Sequence, residues 1–283
     1  MRRELVFQCV IGLAMLSSAV SNRVLGGDLP SDFAAKYQPA AENLQRCYSH
    51  ATISGTLRRE NPRAKKLLEQ QYVLRAAGAK FRLDITTTAE HGMGLEVGST
   101  TSYIATPDGS LSSYRGPRSQ VFDTASELSY SDVKSRIENG CPLIMPYKSV
   151  GQGTILEVLK LPNVRVDGVE KIQRDGETLV KVSYDESSGQ KSQRARKSWF
   201  LLCPAEGWAV REYSRTTGDG DSEILHRGTL KYDGMHDGAP LVRRIEIWQE
   251  QGPRRECILH EIIEVSSFTP VDPSSYFFTA FTF

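Results

Sequence analysis

The side chains that could carry chemistry are few, and the strongest motif among them is incomplete. His260-Glu261-Ile262-Ile263-Glu264 resembles the zinc-protease helix motif, in which two histidines four residues apart bind the metal and a glutamate acts as general base. Glu264 stands where the second histidine should be. The segment also alternates apolar and polar residues as a strand does, which places His260 and Glu261 on opposite faces. We therefore predict no metal site and no cofactor here.

Other catalytic patterns are weaker. No G-x-S-x-G elbow and no phosphate-binding loop occurs in the chain. The histidines are scattered and none stands beside an obvious nucleophile: His50, His91, His226, His236 and His260. We predict a protein that is not an enzyme and has no catalytic residues. A secreted hydrolase whose site is assembled from distant residues is the least favoured alternative.

The N-terminal segment has the pattern of a secretory signal peptide. Arg2 and Arg3 precede an apolar stretch, and small residues, Ala19 and Ser21, stand where a signal peptidase cuts. The apolar stretch is shorter than the roughly 20 residues that span a bilayer, so a membrane anchor is the lesser alternative. We predict that residues 1–21 are removed, that the protein is exported to a periplasmic or extracellular location, and that no transmembrane segment follows.

Charge excludes one class of partner. Removal of residues 1–21 lowers the count from 35 basic and 34 acidic residues to 33 of each. A formally neutral chain with interleaved signs lacks the net basic face that nucleic acid requires. We predict no nucleic-acid partner.

Four cysteines remain after cleavage: Cys47, Cys141, Cys203 and Cys257. None lies two to four residues from another, which disfavours a zinc site. Two disulfides suit an exported protein, and three connectivities are possible. Four buried free thiols are the alternative.

The elements that would position these residues are mostly strands. Ser31–Tyr48 has apolar residues at spacings of three and four, typical of an amphipathic helix, with an interruption near Pro39. From Ala51 onward apolar and polar residues alternate, and turn residues recur at intervals of about 8 to 12 residues. We predict an α+β fold, mainly antiparallel β: one strongly curved sheet of about ten strands, with a few helices covering its concave face. Residues 22–283 form a single domain, with a helical or irregular insertion near 120–165.

The order of these elements resembles a known family. A helix precedes the strand Ala51–Leu57, a later strand carries Lys80-Phe81-Arg82-Leu83-Asp84, and a long C-terminal hairpin ends near Glu264–Phe277. This order is similar to that of the outer-membrane lipoprotein carrier and sorting superfamily. The resemblance implies a half-barrel that wraps around helices and holds acyl chains in an apolar hollow.

We therefore expect a binding protein for lipid or for the acyl chain of a lipidated protein, acting as an envelope carrier or sensor. An incompletely filled hollow lined by apolar groups stays dry until an apolar ligand enters. A structural or protein-interaction module with a self-filled core is the alternative. The aromatic tail Tyr276–Phe283 is either a closing edge strand or an exposed peptide for capture by an envelope protein through strand addition. The predicted lining residues are Tyr103, Trp199, Leu201, Trp208 and Trp248.

Overall fold

The computed structural model describes residues 31–107, 109–118, 124–127, 129, 131–132, 148–149, 153–186, 196–218 and 222–271. The predicted signal peptide and the aromatic tail lie outside these residues, and so does most of the predicted insertion. Within that insertion the described elements are one short strand, a two-stranded hairpin and one short helix.

Helix α1 spans Ser31–Tyr48 and runs through Pro39 without the predicted interruption. Its buried side chains recur every three or four residues, before and after the proline: Phe33, Tyr37, Ala41, Leu44 and Tyr48. Pro39 itself is exposed. Packing of this stripe on both sides of Pro39 offsets the backbone hydrogen bond that a proline cannot donate.

Fifteen strands and two further short helices make up the rest of the described chain. The strands are β1 His50–Asn61, β2 Lys66–Ala77, β3 Lys80–His91, β4 Thr100–Thr106, β5 Gly109–Arg115, β6 Thr124–Glu127, β7 Lys148–Ser149, β8 Gly153–Thr154, β9 Val164–Arg174, β10 Glu177–Glu186, β11 Arg196–Cys203, β12 Ala209–Thr217, β13 Ile224–His236, β14 Ala239–Gln251 and β15 Glu256–Pro270. The helices are α2 Ile155–Leu159 and the 3₁₀ helix Pro204–Glu206.

Thirteen of these strands form one open antiparallel sheet, rather than about ten. Their order is β6-β5-β4-β3-β2-β1-β15-β14-β13-β12-β11-β10-β9, and β7 pairs with β8 in a separate hairpin. Within this sheet the neighbours are consecutive in sequence except at β1, which pairs with β2 on one side and with β15 on the other and so joins the two halves. The mainly antiparallel β prediction is confirmed.

One face of the sheet packs against the helices, and we call it the inner face. Ile53 of β1, Leu74 of β2 and Leu83 of β3 lie on this face and are fully buried in the same core as Tyr37 and Leu44 of α1. Side chains on a strand alternate between the two faces, so their neighbours in sequence form the outer face. Arg75, Arg82 and Asp84, which form ion pairs, lie there. The helix-covered face is thus the apolar one.

Helix α1 covers only one end of the inner face. The Tyr48 hydroxyl donates a hydrogen bond to the Pro240 carbonyl at 2.8 Å and accepts one from the Val242 N–H at 2.8 Å, at the start of β14. The Tyr48 ring also contacts Phe268 near the end of β15, with the ring centroids 5.3 Å apart. The far ends of β1 and β14, where Arg59 and Gln249 lie, are outside the reach of these contacts.

Helix α2 begins with a capping box. The Thr154 side chain accepts a hydrogen bond from the Glu157 N–H, and the Glu157 carboxylate accepts one from the Thr154 N–H. These two bonds satisfy backbone donors that the first turn leaves free. Ile155, Val158 and Leu159 are buried in the same core as the inner face.

The described cysteines are not bridged. Cys47, Cys203 and Cys257 are free thiols. Two disulfides among four cysteines would have to join two of these three, so the two-disulfide prediction is wrong. The three lie in separate places: Cys47 on α1, Cys203 in an outer-face apolar cluster, and Cys257 at the start of β15. A disulfide requires Cα atoms within about 7 Å of each other.

Candidate functional site

The inner face is apolar under α1, whereas toward the opposite end of the strands it carries a group of polar side chains among apolar neighbours such as Ile247. Leu57, Ile263, Ile245 and Leu230 lie directly opposite one another across β1, β15, β14 and β13, and all are buried. Two residues further along β1 and β15, the same face carries Arg59 and Glu261. On β1 and β15 the inward side chains therefore change from apolar to charged over two residues, a distance of about 7 Å.

We call the polar end of this face the polar patch. Its members come from β1, β15, β12, β13 and β10, and the register of these strands brings them to one region: Arg59, Glu261, Tyr213, Arg215, His226 and Glu186. No segment of the chain holds more than two of them.

Two ion pairs lie at the ends of the polar patch. Arg59 donates from Nε to Glu261 Oε2 at 2.6 Å, and the Glu261 side chain is only 6% exposed. Arg215 donates from Nε and from its terminal nitrogen to the two carboxylate oxygens of Glu186, each at 3.1 Å. This two-point geometry orients both groups. Each carboxylate in the patch thus has an arginine partner.

Tyr213 lies between the ion pairs because β13 has a glycine opposite it. A Cβ atom on Gly228 would lie 2.2 Å from Tyr213 Cε1, so the ring occupies the space of the missing side chain. The Tyr213 hydroxyl is buried and has no hydrogen-bond partner among the described residues. Burial raises the pKa of Tyr213 well above its usual value, and the negative charge of Glu261 raises it further.

His226 is the neutral base of the polar patch. It lies directly opposite Arg215, and its Nε2 is 3.0 Å from the Thr217 hydroxyl. Its Nδ1 is buried, and no residue in the described ranges bonds to it. Burial lowers the pKa of His226 to about 4, and the positive charge of Arg215 acts in the same direction. The imidazole is therefore uncharged at neutral pH.

The patch lacks the parts of a hydrolytic triad. His226 contacts a hydroxyl, but no carboxylate in the described part of the chain orients its Nδ1. His260 contacts the Glu246 carboxylate at 2.8 Å, but on the outer face. Across the described ranges no group of three histidine, cysteine or acidic side chains is placed to hold a metal ion.

Of the five predicted lining residues, two reach the core of the inner face. Tyr103 is packed against it, and Trp208 meets Phe33 and Tyr37 of α1 edge-on, with ring centroids 5.9 and 6.3 Å apart. Trp199 and Leu201 lie on the outer face with Leu179. The structure therefore does not bring the five together.

Trp248 is the fifth of these residues and also lies on the outer face. Its ring stacks on His260, with centroids 5.5 Å apart. Strand β15 places His260 outside and Glu261 inside, so the prediction that these two residues face opposite ways is confirmed.

An exposed apolar loop stands at the same end of the sheet as the polar patch. It joins β3 to β4, and its side chains Leu95 and Val97 are 41% and 51% exposed. Gly94 and Gly98 have positive φ values, +74° and +84°, which let the chain turn back on itself.

On the solvent side of α1, a separate shallow depression is lined by Ala34, Ala35, Gln38, Pro39 and Glu42. In the described part of the chain no helix is long and apolar enough to cross a membrane.

The polar patch could not be found from sequence alone. Arg215 and His226 are polar residues at inward positions of their strands. Such residues indicate a site only when it is known which face of the sheet points inward. Gly228 inside a strand was the other available signal, because a glycine there often marks a close approach by another group.

The chain is similar to known proteins in structure only. A scan of protein-family models and a search of curated proteins gave no match. The chain is similar to a crystal structure of a DUF1329 family protein from Desulfovibrio piger, with TM-score 0.42, 9% identity and coverage of 87% of this chain and 99% of that one. It is also similar to a putative outer membrane lipoprotein-sorting protein domain from Vibrio parahaemolyticus, with TM-score 0.44, 10% identity and coverage of 84% and 93%.

The second of these structures bears the family name that the sequence resembles. Both TM-scores lie below 0.5, so neither likeness assigns a function to this chain.

Proposed function

We propose that this protein is an exported, non-catalytic binding protein that holds an acyl chain against the inner face of its sheet. The observation that carries the proposal is the division of that face into apolar rows under α1 and a polar patch at the other end. A lipid has the same division between tail and head group. Burial of twelve to sixteen methylenes at about 0.8 kcal/mol each gives a gross gain near 10 kcal/mol.

In this proposal the sheet curves as a half-barrel around α1 and α2, and the ligand lies between helices and sheet. Tyr103 and Trp208 line its path, since both pack against the inner-face core. Residues 1–21 direct export, and the protein acts in the cell envelope as a carrier or sensor of lipid or of lipidated proteins. The exposed Leu95 and Val97 stand at the polar end, where the head group would lie.

The alternative is a structural or protein-interaction module whose core is filled by its own side chains. One observation favours it: Tyr37, Leu44, Ile53, Leu74 and Leu83 are all at 0–1% exposure, so α1 already fills the inner face where it packs. A ligand would then have to displace α1 or bind beyond its reach.

Binding of an apolar fluorophore to matched variants tests the proposal. N-phenyl-1-naphthylamine should bind the wild-type protein with enhanced emission. Tyr103→Ala on the inner face should weaken this binding about tenfold, because one aromatic contact is lost. Trp199→Ala on the outer face is the control and should leave binding unchanged. Absence of binding to the wild type, or an effect of the outer-face variant alone, would contradict the proposal.

A further inference from the structure

Two neutral groups of the polar patch have hydrogen-bonding capacity that no described residue uses. The Tyr213 hydroxyl belongs to a side chain that is 7% exposed, and it has no partner. His226 is half-buried, but its Nδ1 atom is buried and also has no partner among the described residues. Buried polar groups in native proteins nearly always have a partner, so two unpartnered groups in one place require an explanation.

These two groups are neighbours. His226 and Gly228 are consecutive inward positions of β13, and the Tyr213 ring lies over Gly228. Side chains in this diagonal relation are within reach of each other. The two side chains therefore border the same part of the inner face.

The charges around them are already compensated. Arg59 is paired with Glu261, and Arg215 is paired with Glu186. The described side chains of the patch thus sum to zero with neutral His226, and each arginine lies against a carboxylate. A ligand carboxylate placed beside Tyr213 would lose its hydration and would meet Glu261 before any uncompensated cation.

We infer that the polar patch binds the neutral, hydrogen-bond-accepting head of an acyl ligand, an ester or amide carbonyl, through Tyr213 and His226. This inference rests on the proposed acyl-binding function and specifies its ligand class. The Tyr213 hydroxyl donates to the carbonyl oxygen, and His226 contacts the same polar group. A free fatty acid is the poorer ligand.

The direction of the bound acyl chain follows from the inward residues of β13. Its successive inward positions are His226, Gly228 and Leu230, so the polar position is followed by the glycine that the Tyr213 ring covers and then by a buried leucine. A head group at His226 places its tail past the Tyr213 ring and on toward Leu230 and Ile245. The tail then enters the apolar rows under α1.

Three ligands with the same twelve-carbon chain separate the contributions of head and tail. Methyl dodecanoate, dodecanoic acid at pH 8 and dodecane are used to displace N-phenyl-1-naphthylamine from the wild-type protein. We expect the ester to bind about tenfold more tightly than the ionised acid. In Tyr213→Phe the affinity for the ester should fall about fivefold, the factor that corresponds to one net hydrogen bond. The affinity for dodecane should not change.

Ser113→Ala is the matched control, because it also removes a buried hydroxyl without a partner, but from β5 outside the patch. It should leave all three affinities unchanged. Tighter binding of the acid than of the ester, or equal binding of ester and dodecane, would overturn the inference while acyl binding survives. An unchanged ester affinity in Tyr213→Phe would overturn the role of Tyr213. Failure of the fluorophore and all three ligands to bind would overturn the proposed function itself.

Discussion

His226 links the polar patch to pH through a side chain that is held uncharged. Its pKa is lowered to about 4 by burial and by Arg215, against about 6.5 in an unfolded chain. Below pH 6.5 the unfolded state therefore binds a proton that the folded state does not. The free energy of unfolding contributed by this group is fully present above pH 6.5 and is lost as the pH falls toward 4.

We expect the wild-type protein to lose about 2 to 3 kcal/mol of stability through His226 between pH 7.5 and 4.5. Urea unfolding of wild type and His226→Gln at both pH values isolates this loss, since the contributions of other groups cancel in the difference. Equal pH dependence of the two proteins would show that His226 is protonated normally in the fold.

Gly228 is the second residue on which the patch depends, because Tyr213 occupies the space that its side chain would fill. Gly228→Ala places a Cβ 2.2 Å from the Tyr213 ring, so the ring must move. We expect a loss of about 1 to 3 kcal/mol, as for overpacking of a core. Gly168→Ala is the control, since a Cβ there meets nothing within 4 Å. Equal urea midpoints for the two variants would contradict this account of Tyr213.

At the scale of elements, α1 is fixed to the sheet by polar bonds at its C-terminal end. The hydroxyl of Tyr48 bonds to Pro240 and Val242, whereas that of Tyr37 is equally buried and has no partner where the structure describes the chain. Tyr48→Phe leaves a buried N–H and a buried carbonyl unpaired, so we expect a loss of about 2 to 3 kcal/mol. Tyr37→Phe should stay within about 0.5 kcal/mol of wild type or be more stable. Thermal and urea unfolding measure both, and equal losses would contradict the asymmetry.

The helices and strands were the part of the fold that the sequence predicted best. The predicted strands Ala51–Leu57 and Lys80–Asp84 lie within β1 and β3, and the helix at Ser31–Tyr48 has the predicted bounds. Periodicity depends only on local spacing, and these segments alternate clearly.

The sequence did not predict which face of the sheet is buried, nor which residues far apart in the chain are neighbours. Trp199 and Phe200 are both aromatic, and only the packing of the whole sheet shows that Phe200 is the inward one. The alternation of side chains along a strand predicts which residues share a face of the sheet. It does not predict which of the two faces the helices cover. The polar patch depends on the register of five strands separated by up to about 200 residues, and no local pattern contains that information.

At the scale of the whole molecule, stability rests on one large sheet and its helices rather than on cross-links. With Cys47, Cys203 and Cys257 free, we expect a reducing agent to leave the midpoint of thermal unfolding unchanged. Loss of a native disulfide would cost about 2 to 5 kcal/mol and lower the midpoint by about 5 °C or more. Thermal unfolding with and without reductant distinguishes the two, and a fall of that size would show a bridge that the structure lacks.

The central claim is that the inner face holds one acyl ligand, and native mass spectrometry tests it most directly. The protein would be produced with its own N-terminal segment, recovered from the periplasm of a bacterial host, and compared before and after extraction with organic solvent. We predict a bound lipid at near one-to-one stoichiometry that carries an ester or amide head. Protein that is empty on isolation and takes up no acyl ligand afterwards would contradict the account.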